Sequence, residues 1–320
     1  MTWRAVTWMG LFLVAGCEVG TTCVGPPGLY VDDRCSVVAA DLVAYHPAFP
    51  LWSDGAIKER YVRLPAGQPI DKTNPDDWIF PVGTTLYKTF SDAGVRIETR
   101  MLQKTKDGWG VDAWDMRVYA WDAAQRQVVD VTSDTDCPRC AALRVDALGT
   151  QHDIPDGTMC RQCHSAARDV VNGYSAIQLS DGATVPGTPA ERAALGYLHG
   201  NCGHCHRYSE AAMCGGGPCC HTPACLTGLR LWLHTSDASV EATDAYSTAV
   251  GRGAIYDGTG STCRIAAGDP DASVVTLRMA ARGGPAAMPR IATELVDPTG
   301  LATVRAWIAA MPPQPTVCAR

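Results

Sequence analysis

Two short motifs constrain this chain more than its size does: Cys160-Arg161-Gln162-Cys163-His164 and Cys202-Gly203-His204-Cys205-His206. At the chain's own cysteine and histidine frequencies, such a pentad is expected about 0.02 times by chance. Two thiols at i and i+3 can add to the two vinyl groups of one porphyrin, and the next histidine then lies under the iron. A redox Cys-x-x-Cys or half a zinc site requires no histidine directly after the second cysteine. Each pentad is therefore expected to hold one covalent haem c. Cys160 and Cys163 carry the first and Cys202 and Cys205 the second, with His164 and His206 as axial ligands.

Covalent haem outside the cytoplasm requires export, and the N-terminus reads as an export signal. Arg4 precedes a mostly apolar run from Ala5 to Ala15, the length of a secretory core and too short to span a bilayer. It ends in Leu13-Val14-Ala15-Gly16-Cys17, which resembles a bacterial lipobox in which Cys17 is acylated. An ordinary signal peptide is the alternative. The expectation is removal of residues 1–16, lipidation of Cys17, a tether over 17–36 and a folded part facing the periplasm. Inner and outer membrane are not distinguished. Besides Cys17 and the four pentad thiols, ten of the 15 cysteines remain, enough for up to five disulfides of open connectivity. The formal net charge of −6 supplies no basic footprint for nucleic acid.

From about residue 40 to 135, within an expected β domain over 37–150, the pattern is period two, as in Thr85-Leu86-Tyr87-Lys88-Thr89-Phe90 and Val95-Arg96-Ile97-Glu98-Thr99-Arg100-Met101. Turn residues such as Asp92-Ala93-Gly94 separate the runs. This predicts an antiparallel β domain, a sandwich or jelly-roll variant, in an α+β chain. Residues 151–187 form a first haem-binding segment. Residues 188–320 read as mostly α, with helices opened by Thr188-Pro189, Asp269-Pro270 and Asp297-Pro298 and running to Asn201, near Arg282 and near Met311. Cys214 to Cys225 reads as a disulfide-stapled insertion.

Around the second pentad the order is helix, Cys-x-x-Cys-His, Met288-Pro289, final helix, which resembles the plan of a class I cytochrome c. Met288 sulfur is then expected as sixth ligand opposite His206, with Met279 as rival. The first haem lacks so clear a partner. His199, Met101, Met116 and His152 are candidates, of which His199 would couple the two sites through the helix entering the second pentad.

These residues together resemble a bacterial family of exported di-haem c-type cytochromes. The stretches that carry the resemblance begin with Pro50-Leu51-Trp52-Ser53-Asp54-Gly55-Ala56, with Lys58 and Arg60 close behind. Trp78-Ile79-Phe80-Pro81-Val82-Gly83-Thr84, Glu98-Thr99-Arg100 and Ile154-Pro155 follow, then Tyr197-Leu198-His199-Gly200-Asn201 and Met288-Pro289. The resemblance implies two covalent haems and electron transfer with a redox protein partner. It assigns no chemistry to the N-terminal stretches.

Two other functions are weighed. A di-haem peroxidase would keep one iron open, although 42 residues between His164 and His206 leave no room for two complete cytochrome domains. Alternatively the β domain is a binding module, with Trp52, Trp78, Trp109, Trp114 and Trp121 as a stacking face and the haems as its electron outlet. All five lysines precede residue 107, so the haem half presents no lysine ring to an acidic partner.

Overall fold

The computed structural model describes residues 22–132, 145–155, 157–165, 167–207, 213–214, 217–218, 227–256, 258–313 and 318. Cys17, Cys137, Cys140, Cys219, Cys220 and Cys225 lie outside the described residues, as does the expected export signal over residues 1–16. The fold is α+β. Six strands form one antiparallel sheet in sequence order: β1 Val43–Ala44, β2 Ile57–Arg63, β3 Thr85–Asp92, β4 Val95–Lys104, β5 Trp114–Trp121 and β6 Val128–Asp130.

The expected sandwich or jelly roll is corrected to a single meander. Period-two patterning reports that both faces of a strand are used, but not what covers them. Here irregular chain and helices do so. On one face Tyr87, Met101 and Tyr119 pack under Leu29, Ala39 and Leu42. The expected tether is likewise corrected: residues 22–36 belong to the fold. Leu29 is fully buried, a Cys23–Cys35 disulfide closes the segment, and Val24 bridges to Gln127. On the opposite face Val62, Leu86 and Trp114 join Trp78, Phe80 and Val170, while Val118 and Ala120 join Ile154 and Cys160.

The tryptophans divide between these packings. Trp78, Trp114 and Trp121 are buried, and the Trp52 indole donates to the Leu295 carbonyl at 3.0 Å, which leaves Trp109 as the exposed one of the five. No stacking face results.

A buried polar knot fastens the segment after the first pentad to the sheet. Asp169 Oδ2 accepts from the Phe80 N–H and from Lys104 Nζ, and Oδ1 accepts from the Trp114 indole, each at 2.7 Å. The Lys104 and Asp169 side chains are each 1% exposed, so this pair depends on the carboxylate receiving further donors besides the ammonium.

The helices are α1 Gly157–His164, α2 Ala176–Leu179, α3 Pro189–Leu198, α4 Asp244–Ala249, α5 Val274–Met279 and α6 Pro298–Ala310. Thr188 and Glu191 form a reciprocal capping box at α3, and Asp297 caps α6 by accepting the Gly300 N–H. The helix expected to run to Asn201 narrows to α3, then widens into a π-turn, His199–Gly203, that enters the second pentad. The helix expected from Asp269-Pro270 splits into a short 3₁₀ turn, Pro270–Ala272, and α5. Buried Leu195 and Leu198 of α3 pack with Val304, Trp307 and Ile308 of α6. A Cys263–Cys318 disulfide ties the C-terminus back.

The two halves interlock through the stretch at 49–54. A Cβ on Gly196 would lie 2.0 Å from the Phe49 ring, and one on Gly200 2.3 Å from the Phe49 carbonyl oxygen. Only glycine admits this approach. Asn201 Oδ1 accepts the Trp52 N–H at 2.6 Å, and Asp54 accepts the Glu294 and Leu295 N–H groups. Among the described residues no helix is long and apolar enough to cross a membrane.

Candidate functional site

Between the sheet and the C-terminal helices lies a mostly apolar cavity of about 670 Å³, within the range of sites that hold a large organic ligand. Cys160, Cys163, His164, Cys202, Cys205 and His206 all line it. Both pentads thus open into one chamber, although 42 residues separate their histidines. The pentads also touch: Cys163, His204 and Cys205 place their ligand atoms within 4.8 Å of one another. Cys160, Cys163, Cys202 and Cys205 stand outside disulfides, whereas Cys23 pairs with Cys35 and Cys263 with Cys318.

The two pentad histidines share an orientation. His164 Nδ1 lies 2.6 Å from the Val170 carbonyl oxygen, and His206 Nδ1 lies 3.3 Å from that of Leu229. A ring that donates Nδ1–H to a carbonyl presents the Nε2 lone pair to a metal. Burial pushes each imidazole down to about 4, so both are neutral and ligand-competent at neutral pH. Burial likewise pushes the Cys202 thiol up to about 12. A hydrogen bond from Cys205, with a second from His204, lowers the Cys163 thiol below its ordinary value against the burial that raises it.

Met288, Pro289 and Met279 line the same cavity as His206, so both methionines expected as its sixth ligand are gathered there. Met288 is set by its N–H donating to the Arg278 carbonyl at 3.0 Å.

The four candidates for the first haem separate clearly. His199 is buried but does not line the cavity. Its Nδ1 accepts the Leu233 N–H at 3.1 Å, so in the neutral ring Nε2 carries the hydrogen and offers no lone pair. His199 is therefore not brought to the first site, because the π-turn directs it into the core against Trp232. His152 lines the cavity, but its Nε2 is held 2.6 Å from the buried Glu98 carboxylate. Met101 shares the opposite sheet face with Tyr87 and Tyr119. Met116 alternates onto the cavity side, opposite Leu102.

The sequence reading missed a set of cations. Antiparallel register places Arg60 opposite Lys88, and Lys88 opposite Arg100, on the face that carries Val62, Leu86 and Leu102. All three line the cavity. The signal was available: in each strand these cations fall at the same parity as apolar core residues, where a charge needs a reason. No family model, curated protein or solved structure matches the chain.

Proposed function

We propose that this chain is an exported di-haem c-type cytochrome, anchored through Cys17 to a periplasm-facing membrane, that passes electrons between redox proteins. The matching histidine geometry carries the reading: each pentad imidazole is oriented by a backbone carbonyl and faces the cavity its own cysteines line. When bound, haem c supplies one-electron transfer between ferric and ferrous iron.

The chain's own groups fit that cofactor. Cys160 and Cys163, and Cys202 and Cys205, supply paired thiols, while His164 and His206 supply neutral imidazoles. Met288, which lines the same cavity as His206, would supply a thioether to the second group, in the class I cytochrome c order of helix, pentad, Met-Pro loop and final helix. Met116 is the candidate that the sheet register favours at the first site. Because both pentads line one mostly apolar chamber, two such groups held there would lie near each other. Mass spectrometry of exported protein is expected to show two haems and a lipid on the N-terminal cysteine. Its spectrum is expected to show two low-spin centres. Colourless protein from a host competent in haem attachment overturns the reading.

One observation supports a second reading, a metal bound by Cys163, His204 and Cys205. That site takes one thiol from each pentad and so excludes double thioether attachment. Stoichiometric zinc with no haem would favour it. High-spin ferric iron with peroxide turnover would favour the enzyme instead.

A further inference from the structure

We infer that the row Arg60–Lys88–Arg100 is the carboxylate seat of the cavity and receives the propionates of the group attached at Cys160 and Cys163. The inference rests on the haem reading above and adds where the acidic edge of the first cofactor lies.

Three cations directly opposite one another on β2, β3 and β4 repel. The described residues offer little to offset this. Glu98 pairs with Arg100 and also with His152. No described carboxylate forms an ion pair with Arg60 or Lys88, and Arg60 is only 8% exposed. Lys58 lies two residues from Arg60 on the same face and gives its ammonium to the Leu51 carbonyl. Asp153 is the one acidic residue among the described residues that line the cavity. Burial, then the fields of Arg60 and Arg100, hold Lys88 well below the ordinary ammonium value.

Arg60 is buried and Lys88 and Arg100 are half-buried, and a row of like charges so placed beside an apolar chamber is relieved when a ligand supplies the missing anions. The Arg60 guanidinium, which has no carboxylate partner among the described residues, suits a planar carboxylate bound in bidentate fashion, whereas Arg100 already gives Nε and Nη2 to Glu98 and keeps Nη1 for the chamber. The row also lies beside the first pentad. The charge of Arg100 reaches the Cys160 and Cys163 thiols, and those of Lys88 and Arg100 reach His164. Packing of Cys160 against Val118 and Ala120 puts the pentad on this face. The second pentad meets a different set, Arg264 and Arg278, each held by backbone carbonyls.

The test is potentiometry on the full-length haem-loaded protein, with haem content counted by mass. Lys88→Met removes a cation and a carboxylate partner, so the ferric form of one haem gains. Its reduction equilibrium is expected to fall at least tenfold, a decrease of about 59 mV for a one-electron couple. The other haem, identified as the one moved by Met288→Ala, stays within threefold. Lys88→Arg retains the parent value. Arg60→Gln repeats the measurement from the other end of the row and carries it if Lys88→Met does not fold. Two haems present with both potentials unmoved in the folded neutral variants overturns the carboxylate seat and leaves the cytochrome reading intact. Absence of haem in the parent chain overturns both.

Discussion

Replacing Asp169 tests how the first pentad is held. Its carboxylate takes three buried donors, an ammonium, an indole N–H and a backbone N–H, each at 2.7 Å. Asp169→Ala strands all three, including a lysine whose side chain is 1% exposed. Removing one partner of a buried pair costs about 3–5 kcal/mol, and the orphaned neutral donors push toward the upper end. Against a total stability of about 5–15 kcal/mol, that is a large fraction. The expected fall in melting temperature is roughly 10 °C, at about 2 °C per kcal/mol for a chain of this size. Asp169→Asn keeps one acceptor oxygen and is expected to lose about half as much. Lys104→Met with Asp169→Leu recovers part of the loss, because the buried ammonium goes but the Trp114 and Phe80 donors stay unmet. Thermal unfolding followed by circular dichroism at neutral pH measures all three. A functional consequence follows from position. Val170, directly after Asp169, supplies the carbonyl that orients His164, so on the proposed di-haem reading the hold of His164 on its iron is expected to loosen well below the melting point. Asp169→Ala within about 1 kcal/mol of the parent would refute the reasoning.

If the chain holds two haems as proposed, Met116→Ala is expected to turn one high-spin while both stay attached, read from the ferric absorbance spectrum; an unchanged spectrum removes Met116 as a ligand. Gly200→Ala places a Cβ against the Phe49 carbonyl and is expected to cost about 2–3 kcal/mol by parting the two halves, measured by urea unfolding. His234, between Asp244 and Asp76, is raised from 6.5 to about 10, chiefly by hydrogen bonds to those two carboxylates. Its contribution is therefore full below about pH 6.5 and disappears as pH rises toward 10. Because the ring is 40% exposed, the amplitude is expected to be about 1 kcal/mol or less. His234→Gln should flatten stability over that window, and an identical slope in the variant would exclude the histidine as its source.

Some of this molecule was legible residue by residue. The pentads carry their chemistry in a five-residue spacing, and the capping box at Thr188 and Glu191 needs only i and i+3. The meander strands follow from local alternation. By contrast, alternation along β4 puts Met101 and Arg100 on opposite sheet faces but cannot say which face turns to the C-terminal helices, since that depends on which face they cover. His199 illustrates the same limit: its place on the helix before the second pentad suggested a ligand, yet the π-turn aims it at Trp232. The Lys58 and Arg60 signature had no meaning until β3 set Lys88 beside it.

What the sequence determined alone was the bonding repertoire: which thiols are paired by spacing, which imidazole follows each pair, and where helices begin. These are properties of neighbouring residues, whose separation the covalent chain holds constant. Tertiary structure decided that both pentads share one chamber, that a row of cations walls it, and that an aspartate five residues past His164 fastens that segment to the sheet. Such juxtapositions arise from pairing between remote segments, where register and coverage are settled by the packing of the whole chain.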